Sequence, residues 1–209
     1  MKTVMCFGDS ITWGQDPMTR NRLPYEQRWP GILQLALAAR VRVIEEALCD
    51  RTTVLDSPYV EDRNGKAMLG PLLESHAPVD LLIIMPGTND LQRHFGRSAG
   101  DVALGVATLV DLAHRSGCGP ARNAPQVMVI APQRFGALPP MERLYFAGKV
   151  DEAEALAEAL RTVAETEGCH FLDASSVVRA SAVDGVHLDV DSHRKLAEAV
   201  RRRVETILV

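Results

Sequence analysis

The chain has 209 residues, enough to bury a sizeable core, and is expected to form one domain spanning 1–209. Apolar residues make up 46% and charged residues 24%, a balance that excludes a disordered chain. A formal net charge of -4 gives no basis for nucleic acid as a partner, and no apolar run approaches the ~20 residues of a membrane span.

The N-terminus carries one lysine and no signal-peptide layout of basic, apolar and small-residue regions, so a cytoplasmic location is expected. Cys6, Cys49, Cys118 and Cys169 are widely spaced and form no Cys-x-x-Cys pair. In a reducing compartment they are free thiols that behave as small hydrophobes.

Val4-Met5-Cys6-Phe7 is a short apolar run that reads as a buried strand and leads into Gly8-Asp9-Ser10. Residues 15–27 are polar and contain proline, which marks a loop. Trp29 to Ala39 has helical spacing with Pro30 in its first turn. Val41 to Glu46 is a second strand, followed by a loop from Ala47 to Thr53 and irregular chain over 54–65. Gly65 to His76 reads as a helix that Pro71 threatens to break.

Val79 to Met85 is nearly all apolar, so both its faces are expected to be covered, as in a parallel sheet between helices. Ser98 to Ser116 is an amphipathic helix with Ser98 as N-cap. Gln126 to Ala131 is a fourth strand, and a proline-rich loop begins at Pro132. Asp151 to Glu167 is a helix, His170 to Asp173 a fifth strand, and Asp191 to Leu208 a closing helix. On that last helix, His193 is expected to be exposed and Arg201-Arg202-Arg203 to be a solvated face. Strands that alternate with helices predict a doubly wound parallel sheet, because parallel strands need crossovers.

Three strand ends carry polar loops that such a sheet gathers on one edge: Gly8-Asp9-Ser10, Cys49-Asp50-Arg51-Thr52 and Gly87-Thr88-Asn89-Asp90. Ser10 reads either as a nucleophile or as part of a helix cap with Asp9. Among six histidines, His187 lies three positions after Asp184, with Gly185 between them. One turn of chain can aim acid and base to the same side, where the aspartate holds the imidazole. Asn89 offers an amide to a developing oxyanion, or closes an Asx-turn. Backbone N–H groups at Ser10 and around Asp50 are further donors. Metal-ligand spacings, phosphate loops and Gly-x-Gly-x-x-Gly do not occur, so neither metal nor cofactor is expected.

These segments resemble the SGNH hydrolases, also called GDSL-type esterases. Phe7 to Gly14 is similar to the block with the nucleophilic serine. Gly87-Thr88-Asn89-Asp90 is similar to the block with the oxyanion asparagine, and Asp184-Gly185-Val186-His187 to the block with acid and base. The resemblance implies a flavodoxin-like α/β sandwich with a five-stranded parallel sheet. It also implies Ser10, Asp184 and His187 as the catalytic set, with Ser10, Asp50 and Asn89 as the oxyanion hole. The chain departs from the family at Asp50, where a glycine or another small residue is usual; its carboxylate would repel an oxyanion unless turned away, toward Arg51.

Within the family, Cys6-Phe7-Gly8-Asp9-Ser10 with Thr12-Trp13-Gly14, Val43-Ile44-Glu45-Glu46, Arg51-Thr52-Thr53, and Ile83-Ile84-Met85 with Gly87-Thr88-Asn89-Asp90 resemble the arylesterase and acyltransferase branch. That implies short acyl or aryl esters as small-molecule substrates, transfer to alcohols, and a homo-oligomer. Asp9, Trp13, Cys49 and Phe95 are candidate substrate contacts. Phe135, Leu138, Met141 and Leu144 of the 132–146 loop are candidates for a pocket wall or an oligomer contact. His94 and Asp90 are expected in a surface loop near the site. Two alternatives stand beside the esterase: a carbohydrate O-acetyl esterase, and a non-catalytic binding or scaffold protein with a degenerate site.

Overall fold

The computed structural model describes residues 1–208. Five strands form one sheet: β1 (Lys2–Gly8), β2 (Val41–Ala47), β3 (Leu81–Met85), β4 (Gln126–Ala131) and β5 (His170–Asp173). They pair in parallel in the order β2-β1-β3-β4-β5. A parallel strand can reach its neighbour only by crossing a sheet face. The crossings are α2 (Trp29–Leu37), α3 (Gly65–His76), α4 (Ala99–Arg115), and the pair α5 (Pro140–Phe146) and α6 (Val150–Thr166). A one-turn helix, α1 (Ser10–Trp13), follows β1, and α7 (Val190–Leu208) ends the described chain. This is the doubly wound sheet that the alternation of strands and helices predicts.

Side chains alternate across each strand, so neighbours feed opposite cores. Met5, Phe7, Leu82, Ile84, Val127 and Val129 pack with Leu69 and Leu73 of α3, Val106 and Leu109 of α4, and Leu156 and Leu160 of α6. Val4, Cys6, Leu81, Ile83, Met128 and Ile130 pack with Trp29 and Leu33 of α2 and Leu196, Val200 and Val204 of α7. Every residue of β3 is buried, as its unbroken apolar run requires. Each fully buried leucine or valine contributes about 1.5–3 kcal/mol by leaving water, so two covered faces make the sheet the stable centre of the molecule.

Two expectations change, while the helix Gly65–His76 stands as read. Pro71 lies inside α3 without ending it. The residue whose carbonyl loses a partner, Ala67, is exposed to water. Part of the expected 132–146 loop is helical: α5 begins with Pro140, whose fixed φ suits a first helical position, and buries Glu142 and Phe146. His193 is fully buried, and its Nδ1 accepts the N–H of Trp29 at 3.3 Å, tying α7 to the start of α2. Burial pushes the His193 imidazole down to about 4. No helix among the described residues is long and apolar enough to cross a membrane.

Candidate active site

The sheet order reverses direction between β1 and β3, and the crevice beyond that point is where such sheets bind ligands. β1 ends at Gly8, where a Cβ would lie 2.1 Å from Thr12 Oγ1. Glycine therefore lets α1 fold back tightly over the strand end. Asp9 is the N-cap of α1, its Oδ1 accepting the N–H of Ile11 at 3.0 Å. The capping reading and the placing of Ser10 are thus one arrangement: the cap sets Ser10 at the first helical position. Its backbone N–H takes no partner among the described residues.

His187 Nε2 lies 2.9 Å from Ser10 Oγ, and His187 Nδ1 lies 2.7 Å from Asp184 Oδ2. The other oxygen of Asp184 accepts the N–H groups of Val186 and His187, both at 2.9 Å. Burial works to raise the Asp184 carboxyl, but the bonds from His187 and from these backbone N–H groups outweigh it and hold it below its usual range. The loop is fixed from outside as well. Gly136 donates to Gly185 O at 2.8 Å, and Ser181 donates to His187 O at 2.7 Å. Gly185 has φ +69°, and a Cβ there would lie 2.5 Å from Ala137 O.

Asn89 follows β3, and its Nδ2 donates to Arg51 O at 3.0 Å while its Oδ1 accepts from Gln92 Nε2 at 3.1 Å. An amide nitrogen has two hydrogens, so one remains for a ligand. Asp50 has φ +62°, a left-handed conformation that aspartate tolerates better than most residues. Its N–H takes no partner among the described residues. The side chain does not turn toward Arg51 as the sequence suggested. Arg51 points inward, donating to Gly8 O at 3.1 Å and Glu46 O at 2.6 Å and stacking over Phe7. Burial pushes its guanidinium down to about 10.

Ser10, Asp50, Asn89 and His187 line one cleft of about 310 Å³. Gln15, Arg20, Gln92, Met141, Glu142, Tyr145, Phe146 and Val186 complete its wall. Arg20 bridges the wall, hydrogen-bonded to Glu142 and 3.8 Å from Asp184. Of the expected wall residues, Met141 is present.

Asp9, Trp13, Cys49 and Phe95 are not in the lining. Asp9 is fully buried under α1, and Trp13 lies beneath the Arg22 guanidinium. Burial, then the charges of Asp50 and Asp9, push the Cys49 thiol up to about 12, so it is no thiolate. Phe95 packs against His94, which also meets Tyr59. Asp90 is buried rather than in a surface loop: it accepts the N–H of Thr53 at 3.0 Å and the Thr53 hydroxyl, tying the Asn89 turn to the Asp50 loop. Arg20, Gln15 and Glu142 carry no periodicity or motif, so only folding reveals them at the cleft. Among the described residues no cluster of three or more His, Cys, Asp or Glu could hold a metal ion.

Fold and cleft together define the class, a carboxylic ester hydrolase on a parallel α/β sandwich. The chain belongs to the GDSL-like lipase/acylhydrolase family, which matches residues 6–195, and is thus an SGNH hydrolase. Among solved structures it is similar to the aryl esterase of M. smegmatis, with 36% identity and a TM-score of 0.95 over 99% of this chain and 100% of that one. It is equally similar to a carbohydrate acetylesterase from Sinorhizobium meliloti, with 34% identity and a TM-score of 0.95 over 99% and 100% of the two chains. A member of the lipolytic G-D-S-L family from Veillonella parvula, 18% identical with a TM-score of 0.72 over 97% of each chain, shares the fold. Comparison with curated protein sequences gives no match.

Proposed function

We propose that the protein cleaves short-chain or aryl carboxylic esters through an acyl-enzyme on Ser10. His187 takes the Ser10 proton as Oγ attacks the carbonyl carbon, and Asp184 holds the imidazole and supports its charge. The N–H groups of Ser10 and Asp50 and the amide of Asn89 receive the oxyanion. His187 then protonates the leaving alcohol, and water attacks the acyl-enzyme by the reverse steps. The observation that carries this reading is the unbroken chain from Ser10 Oγ to His187 at 2.9 Å and on to Asp184 at 2.7 Å.

The test is hydrolysis of p-nitrophenyl acetate. Ser10→Ala should lower turnover by about four orders of magnitude or more, as loss of a nucleophile does elsewhere. Activity retained in that variant removes Ser10 from the mechanism. A wild type inert toward every ester returns the chain to the binding-protein alternative.

Hydrogen-bonding side chains in the cleft wall, Gln15, Arg20 and Gln92, favour a second reading, removal of acetyl groups from carbohydrates. The similar acetylesterase supports it. An acetylated sugar assayed beside p-nitrophenyl esters separates the two. Acyl transfer to alcohols, a homo-oligomeric state and a cytoplasmic location belong to the same proposal. The exposed apolar Met141, Leu144 and Tyr145 on α5 support contact with another copy, and four free cysteines support a reducing compartment.

A further inference from the structure

Charge is distributed unevenly around the cleft. The guanidinium of Arg20 is met by two carboxylates, bonding to Glu142 and lying 3.8 Å from Asp184. The nearest cation in sequence, Arg51, is buried and spends its Nη1 on the carbonyls of Gly8 and Glu46. Asp50 is different. Its side chain is exposed in the cleft wall and takes no hydrogen bond or salt bridge from any described residue. The left-handed backbone at Asp50 sets the direction in which its side chain leaves the main chain. On the proposed mechanism the N–H of the same residue receives the oxyanion, so a bound ester has an unmatched negative charge close to its polar centre.

We infer that Asp50 is a specificity-determining residue that favours esters carrying a quaternary ammonium or amine over neutral esters of the same shape. This rests on the esterase reading and narrows its substrate class. An opposite charge a few ångströms away at a partly exposed site alters binding by a factor of about three to ten, and salt weakens it. The net charge of -4 adds long-range attraction of the same sign.

The test compares isosteric pairs. Acetylcholine is set against 3,3-dimethylbutyl acetate, with the cation in the alcohol. The p-nitrophenyl ester of trimethylglycine is set against p-nitrophenyl 3,3-dimethylbutyrate, with the cation in the acyl group. The ratio of kcat/KM within a pair cancels any change in the oxyanion donors, which both members share. Asn tolerates a positive φ as Asp does, so Asp50→Asn is a fair neutral replacement. In at least one pair the charged-to-neutral ratio should fall about three- to tenfold on Asp50→Asn. It should also shrink in the wild type between low and high potassium chloride. Ratios unchanged in both pairs, with the neutral esters still cleaved, overturn this inference alone. A wild type that cleaves none of the four esters and not p-nitrophenyl acetate overturns the esterase reading with it.

Discussion

Asn89 serves two ends with one carboxamide. It fastens the Asp50 loop through Arg51 O, and it keeps a hydrogen for the cleft. On the proposed mechanism Asn89 is an oxyanion donor, worth about 2.7–4 kcal/mol of barrier, so Asn89→Ala should lower kcat about 10²–10³-fold. KM should move far less, because the ground-state carbonyl gains little from the donor. Steady-state rates over a range of ester concentrations give both constants, and a raised KM with normal kcat would make Asn89 a binding group. The variant also strands the Arg51 carbonyl and Gln92, at a cost of about 1–3 kcal/mol in stability. The place of Asn89 at the cleft was legible because it follows a buried strand in a block that resembles the family's, although the residue alone fits an Asx-turn as well. The inward turn of Arg51 was not, because its partners are the main-chain carbonyls of Gly8 and Glu46, which no residue pattern marks.

Among the elements, the loop that carries Asp184 and His187 is the most tightly determined. Gly185 is pressed against the chain after β4, with the main chain of Ala137 where a side chain would go. Gly185→Ala should therefore lower the melting temperature, and it should lower kcat/KM by a larger factor than an equally destabilising core variant such as Val204→Ala. Thermal melts paired with ester turnover check this, and equal activity at equal stability would show that the loop tolerates displacement. The periodic helices and the five strands were readable because burial on a fixed period leaves a pattern. α5 was not: it has seven residues, too few for a period to repeat, and it sits inside a proline-rich stretch. Of the cleft wall it supplies, Met141 was named from the sequence, while Gln15 and Arg20 were hidden because they lie in a polar loop placed only by the folded chain.

At the scale of the whole molecule, buried titrating groups shape how stability follows pH, and Asp90, which burial pushes up from 3.8 to about 6, acts in the same direction as Asp9. Burial pushes the Asp9 carboxyl up from 3.8 to about 7, and Oδ2 has no hydrogen-bond partner. The folded state thus holds a proton that the unfolded chain releases, so stability falls as pH rises through this range. His193 works the other way. Its folded value near 4 lies below the unfolded 6.5, so its contribution is present above 6.5 and is lost as pH falls toward 4. Between those limits the slopes oppose and flatten the wild-type profile. Asp9→Asn keeps an acceptor for Ile11 and removes the charge. The difference between its melting temperature and that of the wild type should grow from pH 4.5 to 7 and be largest at pH 8. Parallel curves for the two proteins would show that Asp9 does not titrate in this range.

Ser10 and His187 are 177 positions apart along the chain, yet their side chains touch. The two can meet only once the parallel sheet that lies between their segments has formed. On the proposed mechanism a hydroxyl without its base is chemically dull. Reactivity is then a property of the assembled fold, and any opening that parts the two segments switches the chemistry off.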